Sequence, residues 1–299
     1  MDRKAFLYPL AAVLFWAGNN LVGKMSVEVI APAAIAFYRW ALAALVLTPF
    51  LLPSIWRARR VIGQNLGRLT LLAALGIVAF QSLAYVAAAT TTATNMGLIG
   101  ALVPLITLLL SLLILKDTPT VGALLGGGLS FVGLAILLGQ GQPMQILHAG
   151  INIGDAMLLA GATAYALYGV LIKKWVLPLT IWQSLYVQIL IGLIWLLPAV
   201  LLSPSMAISG QALPLVLYAG IAASLLAPYC WMQGIAKLGA SRNANFMNLV
   251  PLLTTATAIP LLGEAVHGYH LLGGGLTLGG VMLAQKLKKP IWTRTPEPA

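Results

Sequence analysis

Charge is scarce in this sequence. Only 8% of the 299 residues are Asp, Glu, Lys or Arg, against roughly 25% in an ordinary soluble domain. A soluble chain of this length must cover its surface with polar groups, and there are too few of them here to do so. Cysteine is scarcer still. Cys230 stands alone, which excludes an intrachain disulfide and a cysteine-based metal cluster. The six acids, Asp2, Glu28, Asp117, Asp155, Glu264 and Glu297, all lie in tails or near the ends of apolar runs. The three histidines, His148, His267 and His270, fall in loops or at a helix edge. No charged catalytic cluster or metal site can be assembled from this set, so no enzyme, no catalytic residue, no metal and no cofactor are expected.

What the chain has instead is apolar length. Apolar residues make up 60% of it, and mean hydropathy is +0.95. A spanning helix needs about 20 residues, at ~1.5 Å of rise each across ~30 Å of hydrocarbon. Breaks at charges and at Pro/Gly/Ser clusters delimit ten such segments, near 6–25, 32–52, 69–88, 94–115, 120–138, 153–173, 180–201, 212–233, 243–262 and 269–286. The longest connections are 53–68 and 139–152. The expectation is an all-α polytopic membrane protein with ten transmembrane helices, the first of them retained rather than cleaved as a signal peptide.

The formal net charge of +11 is spread along the chain rather than gathered in a stripe, so it argues for membrane orientation and against a nucleic-acid partner. With the N-terminus inside, all 17 basic residues except Lys24 and Arg39 fall on the cytoplasmic side. Both termini are therefore expected in the cytoplasm. Losing one internal segment would reverse everything downstream and spoil that bias.

The two halves repeat. Pro104-Leu105-Ile106-Thr107 corresponds to Pro251-Leu252-Leu253-Thr254, 147 positions on, and the same offset takes Gly126-Gly127-Gly128-Leu129 to Gly273-Gly274-Gly275-Leu276 and Asp117 to Glu264. Trp16 and Lys24 match Tyr165 and Lys173, and Arg39 falls opposite Gln188. Five helices per unit is an odd number, so the second unit (140–299) must run through the membrane opposite to the first (1–139). Two inverted five-helix repeats can exchange conformations around a shared central site.

Several residues stand out inside the spans. Asn19, Asn20, Gln81, Tyr85, Asn95, Tyr165, Tyr168, Gln188, Trp231, Asn245 and Asn248 are polar or amphipathic groups within apolar runs, as is Gln233. Each either bonds helix to helix or faces a cavity. Together with Trp16 they offer neutral donors, acceptors and flat aromatic faces, which suit a small zwitterionic or amphipathic solute. Arg39 sits about seven residues into the second segment. It either snorkels outward, pairs with Glu28 or Glu264, or meets a substrate carboxylate. Pro104 and Pro251 fall well inside their segments and mark kinks or local unwinding, with a gating role open to both, and Pro228 does something similar in the eighth. Gly122/Gly126, Gly275/Gly279 and the two glycine triplets are close-packing faces of the fifth and tenth segments. Gly18 to Met25 imitates a phosphate-binding loop, but Met25 replaces the Ser or Thr that would hold magnesium, and no strand precedes it.

With these features assembled, the chain resembles the EamA domains of the drug/metabolite transporter superfamily. The resemblance rests on Phe15-Trp16-Ala17-Gly18-Asn19-Asn20, Phe37-Tyr38-Arg39-Trp40, the block from Asn95 through Pro104 to Gly133, Asn248-Leu249-Val250-Pro251, and Gly263-Glu264 with Gly273 to Gly280. In the first copy, Lys116-Asp117 replaces the Gly-Glu pair. Within the superfamily the closer resemblance is to bacterial amino-acid exporters. It implies a multi-pass inner-membrane carrier of aromatic and other neutral amino acids, with a cavity lined mainly by helices 1, 3, 4, 6, 8 and 9. The implied partners are a small-molecule substrate and the lipid bilayer, as a monomer or homodimer. The missing deep acids leave two mechanisms, facilitated diffusion or proton coupling through an edge group such as Glu264 or His270. Export of cationic drugs or other metabolites, and a non-transporting scaffold or lipid-modifying enzyme, are the competing functions.

Overall fold

The structure is a computed structural model describing residues 3–26, 29–87, 90, 99–144, 152–262 and 267–291. Among these the helical runs are α1 (Leu7–Ser26), α2 (Pro32–Gln64), α3 (66–87), α4 (Val103–Leu115), α5 (Val121–Leu138), α6 (Ile153–Lys174), α7 (Ile181–Leu201), α8 (Ala212–Leu238), α9 (240–262) and α10 (Gly268–Lys286). Seven runs are long and apolar enough to cross a membrane, and Val103–Leu115 is a shorter apolar helix. No strand forms among the described residues, only an isolated antiparallel bridge between Thr120 and Pro290. The protein is an all-helical, multi-pass membrane protein.

Local chemistry sets several helix starts. Thr120 caps α5 by accepting the Ala123 amide. Asn152 and Asp155 cap α6 reciprocally, and Thr180 with Gln183 does the same for α7. These side chains satisfy amides that the first helical turn leaves without carbonyl partners. Gly239, at φ +86°, ends α8 in a conformation that suits glycine.

One expectation needs correction. The 53–68 stretch is no loop, because α2 runs unbroken to Gln64 and only Asn65 separates it from α3. The Arg cluster and Pro53 read as a terminus, yet arginine is a good helix former. Pro49 and Pro53 each remove one amide donor from the helix, yet it continues past both. Arg57 and Arg59 fold back onto the Pro53 and Trp56 carbonyls.

Packing is tightest between α5 and α10. A side chain at Gly126 would strike the Gly280 carbonyl, and one at Gly133 would come within 2.6 Å of the Gly273 carbonyl. Since Gly133 lies two turns beyond Gly126 while Gly273 lies two turns before Gly280, the helices run antiparallel. Ser130 donates to the Thr277 carbonyl at the midpoint, 3.1 Å away. The expected Gly275/Gly279 face is not in this seam: Gly275 looks into open space and Gly279 reaches Leu129 only at 4.0 Å. Elsewhere α1 packs on α8 and α9, α6 on α3 and α4, and α2 on α7 and α8.

Two helices change winding midway. Ala74–Ala79 in α3 and Ala219–Leu226 in α8 are π-helical, and Ser111–Leu115 ends α4 in the same way. Such stretches bond residue i to i+5 and are frequent at functional sites.

Candidate substrate site

Aromatic rings from four helices meet in the middle of the bundle. Trp16 of α1 lies 5.2 Å from Trp231 of α8 and 6.2 Å from Tyr165 of α6, centroid to centroid. Tyr165 is 6.1 Å from Trp231, 5.8 Å from Tyr168 and 5.0 Å from Phe80 of α3. Phe80 was not singled out by its sequence; its one signal was its place beside Gln81. The α3 bulge seats Tyr168, since Gly76 leaves the space that the Tyr168 ring fills. Tyr218 of α8 is seated in the same way over Gly18 of α1, and its hydroxyl donates to the Phe15 carbonyl at 3.2 Å. Below the cluster a small cavity is lined by Val103, Thr107, Tyr165, Gly169, Trp231, Ile235, Ala240 and Ala244. Trp231 Nε1 is buried with no hydrogen-bond partner among the described residues.

Trp16 is anchored by a carbonyl. Its Nε1 donates to the Ala223 oxygen at 3.2 Å. The same oxygen accepts from Arg39 Nη2 at 3.4 Å, and Arg39 Nε donates to Ser224 Oγ at 2.5 Å. An unsatisfied carbonyl at this depth would cost about 1–3 kcal/mol, so these donors matter to α8. Of the roles open to Arg39, the structure shows the guanidinium buried and turned toward α8. Glu28 and Glu264, its expected alternative partners, lie outside the described residues.

The amides divide. Asn20 reaches across from α1 and donates to Thr254 Oγ1 of α9 at 3.1 Å, in an exposed position, with Asn19 half-buried next to it. Asn248 is buried, and neither side-chain atom has a partner among the described residues. Two expected cavity residues are not brought to the cluster. Gln188 packs inside the α2–α7 core and donates to Ser184 Oγ at 2.9 Å, and Asn245 Nδ2 bonds the Ser241 carbonyl of its own helix at 2.9 Å. Gln188 Oε1 is buried with no hydrogen-bond partner among the described residues, but in each case the amide N–H finds an acceptor one turn away on the same helix. Gln233 does likewise, donating to Tyr229 Oη at 2.9 Å. The side chains of Gln81 and Tyr85, and the whole of Asn95, lie outside the described residues.

The prolines sit at local changes of winding rather than within regular α-helix. Pro104 is in the first turn of Val103–Leu110, after a turn at residues 101–102, and Pro251 is in the first turn of Leu249–Leu262, after the 3₁₀ stretch Asn245–Asn248. A first-turn amide has no helical acceptor, so proline costs little there and disfavours a helix running into it. A wider cavity, of about 480 Å³, opens away from the aromatic cluster, lined by Leu137, Leu138, Gln140, Thr255, His267, Tyr269 and His270.

An EamA-like transporter family model matches residues 3–139 and again 152–285. An uncharacterized transporter of Bacillus subtilis, YyaM, is 29% identical over 93% of this chain and 92% of its own length. An uncharacterized transporter of Archaeoglobus fulgidus is 26% identical over 95% and 98%. A probable terminal-alkyne amino-acid exporter of Streptantibioticus cattleyicolor is 25% identical over 76% of each. A solved crystal structure superposes with a TM-score of 0.81 at 18% identity, covering 96% of this chain and 98% of that one, which speaks to the fold alone. With its helices, its aromatic centre and both family matches in view, this chain belongs to the EamA-like transporter family and is a membrane transporter rather than an enzyme.

Proposed function

We propose that this chain carries neutral amino acids, aromatic ones among them, or closely related small metabolites out of the cell by alternating access, from a multi-pass position in the bacterial inner membrane. In this reading ten spans form two inverted five-helix halves, 1–139 and 140–299, with both termini cytoplasmic. The observation that carries it is the α5–α10 seam. Gly126 and Gly273 are equivalent in the repeat, as are Gly133 and Gly280, and each glycine meets the equivalent of the other across an antiparallel contact. Ser130 and Thr277, bonded at its centre, are also 147 apart. Two oppositely oriented copies around one pseudo-two-fold axis give that pattern. The remaining packing agrees, since α1 lies on α8 and α9 as α6 lies on α3 and α4.

The solute class follows from the surfaces that converge. Trp16, Tyr165, Tyr168 and Trp231 supply flat apolar area, while Asn19 and Asn20 with Thr254 supply neutral donors and acceptors nearby. The relative named as a probable amino-acid exporter agrees with that class. Movement down the solute gradient is proposed, because every acid lies in a tail or near a segment end.

Purified protein in liposomes should speed equilibration of radiolabelled aromatic and other neutral amino acids. Absence of flux for every solute of a broad panel overturns the transport reading. An imposed pH gradient without a solute gradient should produce no uphill accumulation, and accumulation would refute passive movement.

A further inference from the structure

α8 contains a backbone acceptor that its own helix is unable to satisfy. In the π-helical stretch Ala219–Leu226 the winding carries past its end, and the Ala227 amide reaches back five residues to the Ala222 carbonyl. The next donor in that register belongs to residue 228, and its acceptor is Ala223. Residue 228 is proline and has no amide hydrogen. The Ala223 carbonyl is the one that accepts the Trp16 indole and the Arg39 guanidinium. Arg39 also grips Ser224, the next residue along the bulge. Three helices thus meet at a single oxygen: α1 through Trp16, α2 through Arg39, and α8 through its backbone.

We propose that Arg39 is a positioning residue of the substrate site, fixing the Ala223 carbonyl that Pro228 leaves without a helical donor so that Trp16 docks on it in one orientation. The carbonyl is the hinge pin of the aromatic cluster, because Trp16 faces Trp231 and Tyr165 with its ring while its Nε1 is tied to α8. Arg39 acts through that carbonyl and does not contact the solute. This rests on the transport reading above and assigns the buried arginine a task within it. It also gives a physical reason for an arginine in the first half where the second half has Gln188. In α3, residues 78–83, which follow and overlap the corresponding π stretch, include no proline, so no carbonyl there loses a donor in this way.

The test couples Arg39 to Pro228. Pro228→Ala restores an amide hydrogen at the position that faces the Ala223 oxygen. Arg39→Gln in the native chain should raise the half-saturation concentration for aromatic amino acids by about tenfold, with an equal rise for their decarboxylated amines. In the Pro228→Ala background the same substitution should change it by no more than about threefold. Trp16→Phe, which keeps a ring and deletes the donor, should show the same shrinkage between backgrounds. A selective loss of acids over amines in Arg39→Gln makes Arg39 a carboxylate ligand and overturns the proposal. So does an Arg39→Gln deficit of equal size in both backgrounds. If Arg39→Gln fails to fold in the native chain, the proposal requires that Pro228→Ala restore folded protein, and continued failure refutes it. Thermal melting of the four proteins of the cycle reads the same coupling without any solute. Wild-type protein that moves nothing in the panel, yet shows non-additive melting shifts, would refute transport while leaving the clamp standing.

Discussion

The π-helical stretches of α3 and α8 occupy comparable places in the two halves but are held by different means. In α3 the stretch is held by shape: Gly76 leaves room for the Tyr168 ring, and Gly192 of α7 leaves room for Ile77. In α8 polar groups hold it, with Trp16 and Arg39 on the Ala223 carbonyl and Ser224. The cause of the difference is a single residue, Pro228, which removes a donor that α3 keeps. A duplicated fold therefore keeps its winding while the chemistry that stabilises it diverges, and the buried guanidinium of Arg39 is found beside the helix that lacks an amide.

The largest test of that contrast places the α8 solution where α3 has no use for it. Gln188→Arg puts a guanidinium into the fully buried α2–α7 core, beside Ser184 and far from the Ala223 carbonyl that receives Arg39. The expected cost is about 3–5 kcal/mol, that of an uncompensated buried charge, seen as loss of folded protein on size-exclusion chromatography in detergent. Normal yield and melting temperature would show that the two sites are interchangeable. Next in size is Gly76→Ala. The added Cβ would come within 2.6 Å of the Tyr168 ring, and overpacking of this kind costs about 1–3 kcal/mol. Gly67→Ala, on the same helix but facing open space, is the control and should leave melting unchanged or slightly raised. Smallest is Trp231→Phe, which deletes an indole N–H that has no partner among the described residues. Removing an unsatisfied buried donor should change stability by less than about 1 kcal/mol. Trp16→Phe, which strips a donor from an acceptor in need of one, should be clearly worse.

What could be read in advance follows from where each interaction is encoded. The α5–α10 seam is written at a constant spacing of small residues, so Gly126 and Gly273 were visible as packing positions, whereas Gly133 and Gly280 showed only as matched positions of the repeat. Which glycines meet depends on helix rotation, and this is why Gly275 and Gly279 turned out to face elsewhere. The aromatic members Trp16, Tyr165 and Trp231 stood out as amphipathic groups within apolar runs, whereas Phe80 was indistinguishable from lipid-facing phenylalanine. Arg39 was conspicuous as a buried charge. Its acceptor was not, because it is a backbone carbonyl exposed by a winding change in a helix 184 residues away. The extension of α2 was misread because Pro53 and the arginines carry the usual marks of a terminus.

That extension has a mechanical consequence. About 20 of the 33 residues of α2 suffice to cross the hydrocarbon, leaving roughly 20 Å of continuous helix beyond it. A tilt of about 10° within the bilayer would swing the free tip by roughly 3 Å, and with only Asn65 as a link the swing passes straight into α3. The exposed Arg59 and Arg60 thus ride on a pointer in water, where paired spectroscopic labels would magnify rearrangements too small to resolve among the buried rings.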